Sequence, residues 1–121
     1  MPGCGSALAG APPGRRDEAC HPRALARGDV DDAIDYYAEE AGEGIALRFI
    51  DALRDAYRLI SNRPASGSPR FGLELDLPGL RSRKLRRFPY LVFYVERPDH
   101  IDVWRVLHAQ RDIPGSIPAE G

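Results

Sequence analysis

Three groups of side chains in this sequence have the types and spacing to do chemistry. The first is basic: Arg81, Arg83, Lys84, Arg86 and Arg87 fall within seven residues, flanked by Phe88 and Tyr90. Guanidinium forks match the geometry of phosphates and carboxylates, so this run can grip an anion or an acidic protein segment. The plainer reading is a charged strand that blunts a sheet edge. The second group is His108, Arg111 and Asp112, a His-x-x-Arg-Asp ending. A histidine that titrates near neutrality can serve as acid or base, with an arginine steadying an anionic transition state. Equally, His108 can close a strand end while Arg111 and Asp112 pair locally. The third is the acidic series Asp31, Asp35 and Glu39 at i, i+4 spacing. With no histidine on the same segment, it reads as a solvent-facing stripe, and no metal site is expected.

No phosphate-binding glycine loop, dinucleotide fingerprint or nucleophile elbow is present, and nothing points to a cofactor. The single tryptophan, Trp104, shares a strand face with Asp102 and Val106 by simple alternation and is expected to pack rather than to stack on a ligand.

The elements that must position these groups follow from periodicity. A chain of 121 residues fits one domain. Its net charge is only −1, which announces neither a nucleic-acid binder nor a membrane-surface protein. The distribution is two-sided. From Asp29 to Asp55 nine acidic residues face two arginines, whereas from Leu80 to Arg111 eight basic residues face three acids. Both cysteines, Cys4 and Cys20, lie near the start of the chain. With neither a signal peptide nor a membrane span legible, a reducing, cytoplasmic setting is the expectation.

Residues 1–24 are rich in Gly and Pro and are expected to form a disordered or degenerate extension. Asp29 is placed to cap a helix whose inner face is Val30, Ala33, Ile34, Tyr37 and Ala41. After the Gly42 and Gly44 break, Ile45, Phe49, Ala52, Leu53, Ala56, Leu59 and Ile60 repeat at helical spacing until Asn62-Arg63-Pro64. Short strands are predicted over Leu73–Leu77, Arg81–Phe88, Tyr90–Glu96 and His100–His108, linked tightly enough to form an antiparallel meander. The predicted class is α+β: an N-terminal antiparallel helical hairpin packed on a small antiparallel sheet over 25–113, with residues 114–121 a flexible tail.

In order and spacing the motifs resemble the ParE branch of the RelE/ParE toxins of bacterial type II toxin–antitoxin systems. They are Ala26-x-x-Asp29-Val30 with Tyr37, Ala46-x-x-Phe49 with Leu53, Pro64, Pro78-Gly79-Leu80-Arg81, Phe88-Pro89-Tyr90 with Tyr94, and Arg105-Val106-Leu107-His108-x-x-Arg111-Asp112. The resemblance implies a helical hairpin on a small sheet, a cognate ParD-like antitoxin that wraps the toxin, and DNA gyrase as target. On that basis Arg81, Arg83, Lys84, Arg86, Arg87, Tyr90, Trp104, Arg105, His108 and Arg111 are the candidate partner-binding residues.

The RelE branch cleaves ribosome-bound mRNA, and many members use a C-terminal tyrosine or a Glu and His pair. No tyrosine follows Tyr94 here, which favours gyrase inhibition without enzymatic chemistry. Were the protein a ribonuclease, His108 would act as acid or base, with Arg81, Lys84 and Arg86 on the scissile phosphate. A third reading, an inactive antitoxin-binding module, arises because Arg15–Leu25 shows no strand alternation where the family has its first strand.

Overall fold

The computed structural model describes residues 19–110 and 113–117, with only the backbone of Pro114 and Ser116. Its elements in chain order are β1 (Cys20–Pro22), α1 (Ala24–Ala41), α2 (Glu43–Asn62), a 3-10 turn (Pro64–Ser66), α3 (Arg70–Glu74), β2 (Leu80–Lys84), β3 (Tyr90–Glu96), β4 (Ile101–His108) and α4 (Ile113–Ser116). The four strands form one sheet in the order β1-β4-β3-β2. The α+β class and the helical hairpin on a sheet are as the sequence predicts.

The hairpin turns on one residue. Gly42 has φ 96° and caps both helices, a left-handed conformation that glycine adopts without a Cβ clash. Gly44, expected to share the break, lies inside α2. The strongly amphipathic α2 buries Ala46, Phe49, Ala52, Leu53, Ala56 and Ile60, whereas α1 buries only Ala26 and Ala33. The small alanines let α1 approach closely, while the large apolar side chains of α2 fill the space over the sheet. Asp31, Asp35 and Glu39 lie exposed along α1.

Several expectations need correction. The first strand is not degenerate. Cys20–Pro22 pairs parallel with Ile101–Val103, so the sheet is mixed rather than a pure antiparallel meander, and residues 20–24 belong to the fold. Alternation is invisible there because only three residues pair and one is Pro22 at the strand end. Residues 1–18 lie outside the described part. Helix α1 begins at Ala24, ahead of the predicted cap at Asp29. Its start is set by the sheet, since the Arg23 N–H donates to Val103 O at 2.9 Å. Leu73–Leu77 is not a strand: Arg70–Glu74 is helical, and Leu75 and Leu77 fold back to the sheet as Leu77 N–H donates to Gly72 O at 2.8 Å. Nor does the basic strand reach Phe88, because β2 ends at Lys84 and a turn follows. The tail expected to be mobile from 114 includes α4, which sets Ile113 and Ile117 into the core; residues 118–121 are not described.

The sheet is apolar on both faces. One face carries Val92, Tyr94, Val103 and Val106 against the helical hairpin; the other gathers Leu80, Phe93, Val95, Trp104 and Leu107 under α3, its following loop and α4. A bulge explains how Trp104 and Val106 come to lie on different faces, contrary to simple alternation. Pairing shifts between Phe93 and Tyr94, which face Arg105 and Val103, leaving Trp104 as the extra residue.

Candidate functional site: the basic end of the sheet and the adjoining groove

Register determines which basic side chains can act together. In β2, Arg81 and Arg83 stand opposite Tyr94 and Val92, whereas Lys84 stands opposite Leu91. Cross-strand partners share a face, so Arg81 and Arg83 point to the helical side and Lys84 to the other. The two arginines are already engaged. Arg81 Nη1 donates to Gly67 O at 2.9 Å and Arg83 Nη1 to Ser66 Oγ at 3.0 Å, tying the segment after α2 to the sheet. Tyr94 completes this tie: its hydroxyl donates to Pro64 O at 2.6 Å and accepts the Gly67 N–H at 3.1 Å. Burial pushes the Tyr94 phenol up despite that hydrogen bond and the two arginines.

Beyond Lys84 the chain makes a tight turn, with Leu85 N–H donating to Tyr90 O at 2.9 Å. Leu85 and Phe88 are buried and Arg86 and Arg87 exposed. Phe88 inserts edge-on against Phe49 and Tyr37, with ring centroids 5.3 and 5.1 Å apart. The inserted phenylalanine pushes the two arginines out into an open groove of about 630 Å³ between this turn and α2. Its floor is Ile45, Ala52 and Phe88; Arg48, Asp51 and Asp55 line the α2 wall. Asp55 pairs with Arg58 at 2.9 Å.

The same end of the sheet holds Tyr90 and His108, which face each other across β3 and β4 with centroids 5.3 Å apart. His108 Nδ1 lies 3.1 Å from the Gln110 N–H and accepts from it, which leaves the proton of a neutral ring on Nε2. The structure therefore brings together Lys84, Arg86, Arg87, Tyr90 and His108 at one end of the sheet. Arg81, opposite Tyr94, is four residues along β3 from the Tyr90–His108 pair, about 13 Å at strand rise.

Two more of the ten candidates lie in internal networks. Arg105 donates through Nε to Asp29 Oδ2 at 2.7 Å and through Nη2 to Oδ1 at 2.8 Å. These hydrogen bonds raise its pKa above the ordinary arginine value against the effect of burial. Trp104 Nε1 donates to Asp102 Oδ2 at 3.2 Å, and the Arg23 guanidinium lies over its ring at 4.9 Å. Arg111, with Asp112, lies outside the described residues.

The acceptors in those networks, Asp29 and Asp102, were not candidates. Each had a legible signal: Asp102 interrupts an apolar strand, Ile101-Asp102-Val103-Trp104, and Asp29 belongs to the Ala26-x-x-Asp29-Val30 motif. The α2 wall of the groove carried no local signal, since Arg48, Asp51 and Asp55 look like an ordinary solvated helix face. Among the described residues, no three His, Cys, Asp or Glu side chains converge as metal ligands, and no helix is long and apolar enough to cross a membrane.

Comparison with known proteins bears on the fold and the family. None of the curated proteins compared matches the sequence. A solved structure described as "Chromosomal ParDE TA system from P. aeruginosa" is similar in fold, with a TM-score of 0.64 at 19% identity over 75% of this chain and 95% of the other. The family described as "ParE toxin of type II toxin-antitoxin system, parDE" matches residues 22–113, from the last residue of β1 to the first of α4. The chain belongs to the ParE toxins of type II toxin–antitoxin systems.

Proposed function

We propose that this ParE-family toxin inhibits DNA gyrase without cutting a nucleic acid, and that a cognate ParD-like antitoxin neutralises it in the cytoplasm. The observation that carries the choice of target is that the groups a ribonuclease would need do not all converge: Lys84, Arg86 and His108 share one end of the sheet, but Arg81 stands apart from them. Arg81 and Lys84 lie on opposite faces of the sheet, Arg81 donates to Gly67 O, and His108 stands at the far end of β3 from Arg81. Phosphoryl-transfer catalysis depends on charged groups converging on one phosphate. Blocking an enzyme by binding needs only a surface.

The antitoxin reading is supported by exposed apolar side chains on the helical hairpin. Tyr36 on α1 and Leu47 on α2 are 57% and 60% exposed and nearly equidistant from the Gly42 turn, so they stand level on antiparallel helices. A partner helix laid there would cover them.

Purified protein should block gyrase supercoiling of relaxed plasmid, and its cognate antitoxin should reverse the block. Cleavage of ribosome-bound mRNA with gyrase unaffected overturns the gyrase reading in favour of the nuclease. The inactive-module alternative has lost its motivation, because β1 is formed; growth on induction with and without the neighbouring gene tests it directly.

A further inference from the structure

Strand register brings His21 and His100 together. Cys20 and Ile101 pair across β1 and β4 and both enter the core beneath the helices, so alternation turns the neighbouring His21 and His100 to the other face of the sheet. There the two rings lie nearly parallel, with centroids 4.7 Å apart and planes inclined by 18°. Asp99 Oδ1 stands 2.7 Å from His100 Nδ1, and that hydrogen bond holds the Asp99 carboxyl below its usual pKa. The carboxylate therefore accepts and Nδ1 donates, which in a neutral ring leaves the lone pair on Nε2. A carboxylate orients a metal-binding histidine in this way. Among the described residues, no hydrogen bond engages His100 Nε2 or either ring nitrogen of His21.

We propose that His21 and His100 form a surface site for a divalent transition-metal ion of the zinc, nickel and copper group, and that the bound ion clamps β1 to the turn between β3 and β4. Imidazole nitrogen suits these metals, whereas magnesium and calcium prefer oxygen. Two metal–nitrogen bonds of about 2.1 Å span at most about 4.2 Å, little less than the ring separation. His21 is exposed, so a small rotation of its ring brings a nitrogen into range. The surrounding charges balance: Arg23 and Arg97 both donate to Asp102, and Asp99 adds a second carboxylate beside His100. Asp102 is committed to those arginines and to Trp104, and no three-ligand cluster exists among the described residues. Water completes the coordination, giving an open, exchangeable site rather than the closed cage of a structural zinc. What the ion adds is attachment. β1 has only three residues, and an ion that bridges it to the sheet binds the folded state alone and stabilises it by mass action.

The test uses the whole chain without an affinity tag, zinc chloride as the probe, NMR of the histidine rings and thermal melts. In the wild type, zinc shifts or broadens the His21 and His100 ring signals and leaves those of His108 unmoved. The melting temperature rises with the logarithm of zinc concentration; magnesium chloride does neither. His21→Gln, an exposed change that leaves the core intact, abolishes the rise, and so does His100→Gln. Asp99→Asn keeps both rings but binds zinc about tenfold more weakly, as loss of an orienting carboxylate does. No ring response in the wild type, a melting rise that survives His21→Gln, or a response centred on His108 each overturns the site. Ring shifts with no rise in melting temperature overturn the clamp. The assay contains neither gyrase nor antitoxin, so its failure leaves the gyrase reading standing.

Discussion

Asp29 and Arg105 form a two-pronged ion pair between α1 and β4, with Nε–Oδ2 and Nη2–Oδ1 distances of 2.7 and 2.8 Å and side chains only 8% and 12% exposed. The carboxylate also accepts the Val106 N–H at 3.0 Å. That contact falls just beyond the point where β1 stops pairing with β4, at Val103. Asp29 thus takes over, from a helix, part of the hydrogen bonding that a longer first strand would have supplied.

Removing the carboxylate takes away two hydrogen bonds from Arg105 and the one from the Val106 N–H. Asp29→Ala should destabilise the fold by about 3–5 kcal/mol, the cost of breaking a buried pair by removing one partner. Asp29→Asn, which keeps an acceptor oxygen, should lose less. Urea unfolding of the two variants beside wild type measures both. Equal stability of all three would show that the pair adds nothing to its desolvation cost.

Asp102 makes stability depend on acid. Burial works against its charge, but hydrogen bonds from Arg23, Arg97 and Trp104 outweigh that and hold its pKa below the usual carboxylate value. Since the folded-state pKa is the lower one, its contribution is fully present above the unfolded value near ~3.9 and is lost as pH falls through the folded value. Asp102→Asn should therefore be less stable than wild type at neutral pH, and the gap should narrow below about pH 4. Denaturant midpoints across an acid pH series give the comparison.

One hydroxyl completes the tie between the sheet and the segment after α2. Tyr94→Phe removes the donor to Pro64 O and the acceptor for the Gly67 N–H, and should cost about 1–3 kcal/mol by leaving those groups unsatisfied. Gly67→Ala attacks the same joint by crowding, since a Cβ there would stand 2.2 Å from the Tyr94 hydroxyl and 3.0 Å from Ser82 O. If the two changes act on one joint, the double variant should lose less than the sum of the single losses, which a double-mutant cycle reads.

Deleting residues 1–22 removes β1 and with it the cover of the β4 edge at Ile101–Val103. The truncated chain should melt lower and self-associate, because an uncovered edge offers free N–H and C=O groups to another chain. Light scattering alongside a thermal melt would detect both. A monomeric truncation with unchanged melting would mean that β1 is dispensable.

How much of this was legible beforehand depended on the range of the interaction. The hairpin of α1 and α2 was readable because Phe49, Ala52, Leu53, Ala56 and Ile60 repeat with helical period and Gly42 supplies the turn. Strands β3 and β4 were readable because Tyr90–Val95 and Ile101–His108 are apolar runs of strand length. By contrast, β1 exists only because Ile101–Val103 lies alongside to accept its hydrogen bonds. Phe71, Leu75 and Leu77, read as part of a strand or its surroundings, pack onto the second face of the sheet from a helix and loop.

The sequence by itself determined the α+β class, the basic cluster and the motif order that marks a ParE toxin, because local periodicity and the order of residue types are properties of the chain. Only the tertiary structure decided which charges are available. Strand register turns Arg81 and Arg83 towards the helices, the Trp104 bulge moves Val106 to the other side, and partners distant in sequence engage Arg105 and Arg81. The inward pull of Leu85 and Phe88 leaves Arg86 and Arg87 exposed at the groove. One-residue shifts in pairing and contacts across dozens of residues leave no local pattern from which such assignments could be read.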